Sequence, residues 1–270
     1  MVPKPKITLY LDTVSPFAYE AYHILRNDPI FKNVEIKYVP IFLGGLMNKV
    51  WFLQFPPPSP PSIHSSITLI TSIASPHLTN VTQTKTVRQH RPINIKNKDK
   101  WINIERLRWA RAFSIPIISD MPPNFPPNTL PTQRVLAGIE ASSSSQSQQS
   151  QSQSAIIAAL DALYKAYWVN GTPVHEPAHL RSVLASPLEG GEAAADKVLA
   201  AAQTAEVKQR LVQNTDQAFA DGAFGLPWFT CTNSKGETEG FWGVDHLGQV
   251  VQFLGLDRGV SGNGGWKSVL

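Results

Sequence analysis

The sequence predicts a mixed α/β fold, in which a strand–helix–strand unit opens the chain, a helical region interrupts it, and a hairpin with a following helix closes it. Three observations carry this expectation. Ile7, Leu9 and Leu11 alternate with Thr8, Tyr10 and Asp12, the period of a strand in a sheet. In the middle of the chain apolar residues recur instead at near-helical spacing. Near the end, Trp228–Thr232 and Thr238–Trp242 flank the turn-prone Asn233-Ser-Lys-Gly236, a hairpin signal.

The elements follow in order. The opening strand breaks at Asp12-Thr13, and an amphipathic helix starts at Ser15-Pro16 and runs to about Arg26. Ser15 suits the N-cap, and Pro16 fits the first helical position, where a missing N–H costs nothing. Val34–Pro40 alternates as a second strand, so the three pieces form a right-handed βαβ unit. Ile41–Met47 reads as a turn into something apolar. Residues 49–91 change character: proline clusters, hardly an acidic residue, and no sustained period of 3.6 or 2. The changed text runs from about Val50, which a GT codon can open, to His90 and carries Leu78-Thr79, which CTAAC can encode. It reads as an anomalous insert, a retained intron of the short fungal kind, with a genuine disordered loop as the alternative.

Order resumes with a helix over Asp99–Ile117, in which Trp101, Ile104, Leu107, Ala110 and Phe113 form the apolar side and Glu105, Arg106, Arg108 and Arg111 the other. A Pro-rich loop and a short helix over Thr132–Ala141 lead into a Ser/Gln-rich loop, 142–154, expected to be flexible. Helices are expected over Ala155–Trp168, closed by Asn170-Gly171, and over Ala178–Ala185, Glu192–Ala202 and Ala205–Ala220. After the hairpin, Val244–Leu254 is the closing helix, and 259–270 reads as a frayed tail. The order βαβ, helices, ββα is the thioredoxin plan split by a helical insertion: 1–48 and 216–258 form the two parts of the thioredoxin-like domain, and 92–215 the insertion.

Composition narrows the function classes. A chain of 270 residues with 42% hydrophobic content can bury a sizeable core. The net charge of +4 is too mild and scattered for tracking nucleic acid. No apolar run reaches the roughly 18–20 residues of a membrane span, and the early entry into a strand leaves no room for a signal peptide. Cys231 stands alone, which excludes an internal disulfide, a CxxC pair and a cysteine-based zinc site. The expectation is an intracellular protein without metal.

The chemistry-bearing residues gather at the joints. A hydroxyl at Ser15, beside the orphan N–H groups of a helix start, suits an anion such as a thiolate. Leu226-Pro227 stands just before a strand, after Gly222-Ala-Phe-Gly225; a cis bond there would leave the Leu226 backbone free to pair with an extended peptide. Phe17 and Tyr19 flank Ser15 as candidates for lining a hydrophobic co-substrate pocket, with core packing as the alternative. His23 and His246 read as solvated helix positions, and Cys231 as a buried, inert strand residue.

LYLDTVSPFAYEAY (9–22), VPIFLGGLM (39–47), INIERLRWARAF (102–113), FADGAFGLPWF (219–229) and FWGVDHL (241–247) together resemble the kappa class of glutathione transferases. That class shares a DsbA-like fold with bacterial 2-hydroxychromene-2-carboxylate isomerases. The resemblance implies that Ser15 is catalytic, donating to the glutathione sulfur and stabilising its thiolate. It implies that Leu226 and cis-Pro227 clamp the tripeptide and that Asp245 binds the γ-glutamyl ammonium. It implies that Val244 contributes backbone only and that Lys98, with Lys96 and Lys100 close in register, binds a carboxylate. The class's GN-x-PP segment is replaced here by Gln89-His90-Arg91. The implied partners are glutathione, a small hydrophobic electrophile and a second copy in a homodimer, in mitochondrion, peroxisome or cytoplasm. A disulfide oxidoreductase would need a CxxC where residues 15–18 are Ser-Pro-Phe-Ala. A glutathione-dependent isomerase, or a non-catalytic glutathione-binding module, would use the same contacts.

Overall fold

The structure, a computed structural model, describes residues 3–54, 95–141 and 146–267. Strand β1, Lys6–Leu11, is central, pairing parallel with β2, Glu35–Pro40, and antiparallel with β3, Trp228–Thr232; β3 pairs antiparallel with β4, Thr238–Trp242, in the order β2-β1-β3-β4. A central strand must be apolar on both faces, and Ile7, Leu9, Tyr10 and Leu11 are all buried. Helix α1, Pro16–Asn27, makes the crossover between β1 and β2. The two hairpin strands have the bounds that the sequence predicts, and they pair from Trp228↔Trp242 to Thr232↔Thr238.

The helical insertion consists of α3, Lys98–Phe113; α4, Leu130–Ala141; α5, Gln146–Tyr164; α6, Pro177–Ala185; α7, Gly191–Ala201; and α8, Ala205–Ala220. A π-helical turn, Lys165–Val169, ends α5 before Gly171, whose φ of 72° is the left-handed conformation expected of that helix end. The expected mixed α/β thioredoxin-like order is present, with a helical insertion between βαβ and ββα.

Four stretches differ from the sequence expectation. Helix α2 spans Leu43–Gln54, where a turn was expected. It runs past residue 48; most of the proposed insert, residues 55–91, lies outside the described residues. The Ser/Gln text from 146 onward is helical, because tertiary partners supply what its composition lacks. The Gln153 amide accepts from the Tyr38 N–H (2.9 Å) and donates to the Tyr38 carbonyl (3.2 Å), completing the outer edge of β2. The buried Ser152 hydroxyl reaches the Glu140 carbonyl at 3.3 Å.

Helix α3 is rotated from its expected face. Trp101 and Ile104 are exposed, while Arg106 is fully buried. The Arg106 guanidinium is satisfied by the Ile118 and Ser119 carbonyls and Asn103 Oδ1, which permits the burial. The expected frayed tail is docked: Trp266 is buried, and its indole N–H donates to Asp28 Oδ2 at 2.8 Å. The closing segment is a 3-10 turn, Val244–His246, followed by α9, Leu247–Phe253. Leu247, Val250, Val251 and Leu254 face inward as expected.

Candidate functional site

Sheet topology brings the candidate residues to one end. Tyr10 faces Trp228, so the β1–α1 turn leaves the sheet beside the Leu226-Pro227 approach to β3. Leu11 pairs with Pro40, which puts the start of α2 at the same end. Trp228 faces Trp242, which brings in the turn after β4, and α1 packs against that turn.

Ser15 is the N-cap of α1, in extended conformation (φ −86°, ψ 116°), and is buried. Its hydroxyl accepts from the Ala18 N–H at 3.2 Å. A hydroxyl that accepts one bond still has its own proton to donate, and among the described residues that proton has no acceptor. The Leu226–Pro227 bond is cis. The Pro227 carbonyl accepts from the Gly243 N–H at 3.0 Å, locking the proline to the turn after β4. The buried Leu226 backbone has no hydrogen-bond partner among the described residues.

At Gly243, φ is +90° and Asp245 Oδ1 lies where a Cβ would stand, so this position requires glycine. Asp245 itself is exposed, with Oδ1 3.4 Å from His246 Nδ1; the geometry makes no hydrogen bond, and at that exposure the pairing contributes little. Val244 is buried behind it.

The half-buried Phe17 ring packs 6.0 Å from Trp101, and this contact joins the first turn of α1 to the first turn of α3. Lys98, half-buried and first in α3, stands three residues before Trp101 and shares its face. Tyr19 is placed otherwise than a pocket residue. It is buried against Tyr164, ring centroids 5.1 Å apart, and its hydroxyl donates to the Pro116 carbonyl at 2.7 Å. His23 is half-buried beside Tyr19, and burial lowers its pKa. Together with Asn27, Asp28 and Ser261 it lines a small cleft at the C-terminal end of α1, remote from Ser15. The thiol of Cys231, mid-strand, is pushed up to about 12 by burial, with Glu239 adding to the rise.

Sequence reading passed over Asp12, taken only as the break after a strand. It is fully buried, directly behind Ser15 in the same turn. Its Oδ1 accepts from the Val14 N–H and the Gln133 side chain, and its Oδ2 from the Leu43 N–H. Only the placing of an acid between an apolar strand and a helix cap hinted at it.

The sequence profile of the DSBA-like thioredoxin domain matches residues 73–255, more than half the chain. The chain belongs to the DsbA-like thioredoxin family. A distant relative is glutathione S-transferase kappa 2 of Caenorhabditis elegans, 28% identical over 261 residues that cover 94% of this chain and 93% of that protein. Glutathione S-transferase kappa 1 of the same organism is 38% identical over 50 residues, 18% of this chain and 22% of its own length. Among solved structures, a 2-hydroxychromene-2-carboxylate isomerase superposes with a TM-score of 0.61 at 18% identity, over 93% of this chain and 94% of its own. The cytosolic disulfide reductase DsbM from Pseudomonas aeruginosa, solved with GSH, superposes with a TM-score of 0.51 at 12% identity, over 93% of this chain and 96% of its own. At those identities the structural likeness concerns the fold.

Proposed function

We propose that this DsbA-like protein is a glutathione transferase of kappa type, in which the Ser15 hydroxyl donates to the glutathione sulfur and holds it as thiolate for attack on a small hydrophobic electrophile. The observation that carries the reading is Ser15 itself: an N-cap hydroxyl with its proton uncommitted, at the same sheet end as cis-Pro227. The kinship with a kappa transferase supports it. In this reading the Leu226 backbone pairs with the cysteinyl part of glutathione. Asp245 takes the γ-glutamyl ammonium, with the Val244 backbone beside it, and Lys98 takes a carboxylate. Phe17 with Trp101 offers an apolar wall to the electrophile. A homodimer belongs to the same reading.

The magnitudes suffice. A free thiol ionises near pH 8.5, so only a few per cent is thiolate at neutral pH. Lowering its pKa by one or two, at ~1.36 kcal/mol each, makes thiolate the main form. A charge-assisted hydrogen bond contributes about 1.5–3 kcal/mol, and a helix N-terminus about 0.3–1 kcal/mol.

Ser15→Ala removes the donor and leaves the helix start. The expected result is a fall in kcat/KM for conjugation of glutathione to a chloronitroarene of roughly 10- to 100-fold, the equivalent of one such bond. Unchanged kcat/KM would refute the role of Ser15. A product assay with 2-hydroxychromene-2-carboxylate, run beside it, decides between transferase and isomerase, a choice raised by the likeness to the isomerase fold.

A further inference from the structure

Asp12 lies three residues before Ser15, in the same turn, and is fully buried. A carboxylate so placed is costly unless donors surround it. Oδ1 accepts from the Val14 N–H (3.1 Å) and the Gln133 amide (3.0 Å), and Oδ2 from the Leu43 N–H (2.9 Å). The Asp12 carbonyl accepts from the Ser15 N–H at 3.1 Å. One residue thus ties the turn that carries Ser15 to the start of α2 and to α4 of the helical insertion. Around it the hydrogen bonding is incomplete: Gln133 Oε1 and the Tyr164 and Tyr167 hydroxyls are buried without partners. Both phenols lie close enough to feel the Asp12 charge. These open groups give a proton on Asp12 a place to point without displacing the N–H donors.

We propose that Asp12 is a positioning residue for the Ser15 site that acts through its carboxylate charge: ionised, it draws the Val14 and Leu43 N–H groups onto itself and fixes the direction of the Ser15 hydroxyl; neutral, it holds the turn less tightly. The proposal rests on the reading of Ser15 given above. Hydrogen bonds to an ionised acceptor are roughly twice as strong as neutral ones. Burial pushes the Asp12 carboxyl up to about 6, against the pull of its donors. The titratable groups that face it are Tyr164 of α5 and Tyr167 of the π-helical turn, both kept neutral mainly by their own burial. Among the described residues no Lys, Arg or His shifts its titration.

The sign of the linkage separates a positioning role from a structural one. The folded pKa lies above the unfolded value, so the folded chain holds a proton that the unfolded chain has released. Stability therefore falls as pH rises from the ordinary aspartate range to about 6, and is level above it. A group that served only the fold would not be kept in the form that weakens it.

The test compares wild type, Asp12→Asn and Gln133→Leu by the pH profile of kcat/KM for glutathione conjugation and by thermal melts without glutathione. In wild type the acid limb is expected to be two protons steep, one from the thiol and one from Asp12. Asp12→Asn is expected to descend with one proton and to lack the fall in melting temperature that wild type shows as pH rises from the ordinary aspartate range to about 6. It is also expected to lose up to about 100-fold in kcat/KM, chiefly in kcat, as for a slightly misplaced catalytic group. Gln133→Leu keeps the acid but removes one donor, so the Asp12 limb moves to higher pH. An Asn variant with wild-type rate and steepness overturns the proposal, as does an equal loss of rate at every pH. Normal Asp12→Asn kinetics beside an impaired Ser15→Ala defeats this inference alone, whereas an unimpaired Ser15→Ala defeats the reading of Ser15 and this inference with it.

Discussion

Two buried side chains, Ser15 and Cys231, define the chemistry left to this chain. Ser15, at a helix start, holds a hydroxyl proton that has no acceptor among the described residues, at the same sheet end as cis-Pro227. Cys231, the chain's lone cysteine, lies in the sheet with no exposure, and its thiol is raised to about 12 by burial and by Glu239. A thiol that stays protonated at neutral pH is neither nucleophile nor metal ligand, so the DsbA-like fold here is separated from disulfide chemistry. A thiol-reactive dye is expected to label the native chain at a small fraction of its rate on the denatured chain. Cys231→Ala should keep wild-type kcat/KM and lose about 1–2 kcal/mol of stability, read by urea titration, because a small buried side chain leaves a small cavity. Rapid native labelling with loss of activity would assign Cys231 a function.

At the scale of elements, helices and tail take their order from partners that local pattern does not name. The Ser/Gln helix α5 is held at Gln153 by the edge of β2. The C-terminal segment is held at Asp28, which accepts from the Trp266 indole N–H and the Ser261 hydroxyl, both at 2.8 Å. The Trp266 ring meets Phe113 edge-on at 5.3 Å and lies 6.0 Å from Phe31, so the tail closes the far end of α1 and α3. Trp266→Ala removes that ring and one of the two donors to Asp28 Oδ2. It should cost about 3–5 kcal/mol, seen as a lower urea midpoint, with KM for glutathione unchanged, because the contact lies at the other end of α1 from Ser15. A midpoint within experimental error of wild type would mean that the segment is a passive tail.

Over the whole molecule, what local pattern encodes was legible in the sequence. The alternation of Ile7, Leu9 and Leu11, the Ser15-Pro16 cap and the Asn233–Gly236 turn led to the first strand, to α1 and to the closing hairpin. What distant contacts encode was not legible. Arg106 reads as solvated until the Ile118 and Ser119 carbonyls are seen to receive it. Trp101 reads as core until it is found exposed beside Phe17, and Tyr19 reads equally as pocket lining or as core until Pro116 takes its hydroxyl. Asp12 is nearly silent in the sequence, because only its place between an apolar strand and a helix cap hints that the acid is buried. The fold's contribution is to bring Ser15, cis-Pro227 and Asp245 to one sheet end from positions more than two hundred residues apart. The central claim is that this assembly ionises a bound thiol, and ultraviolet thiolate absorbance of glutathione titrated into wild type and Ser15→Ala tests it most directly. The account predicts a thiolate signal at neutral pH in wild type that is lost or moved to higher pH in the variant; equal thiolate in both, or none in wild type, would contradict it.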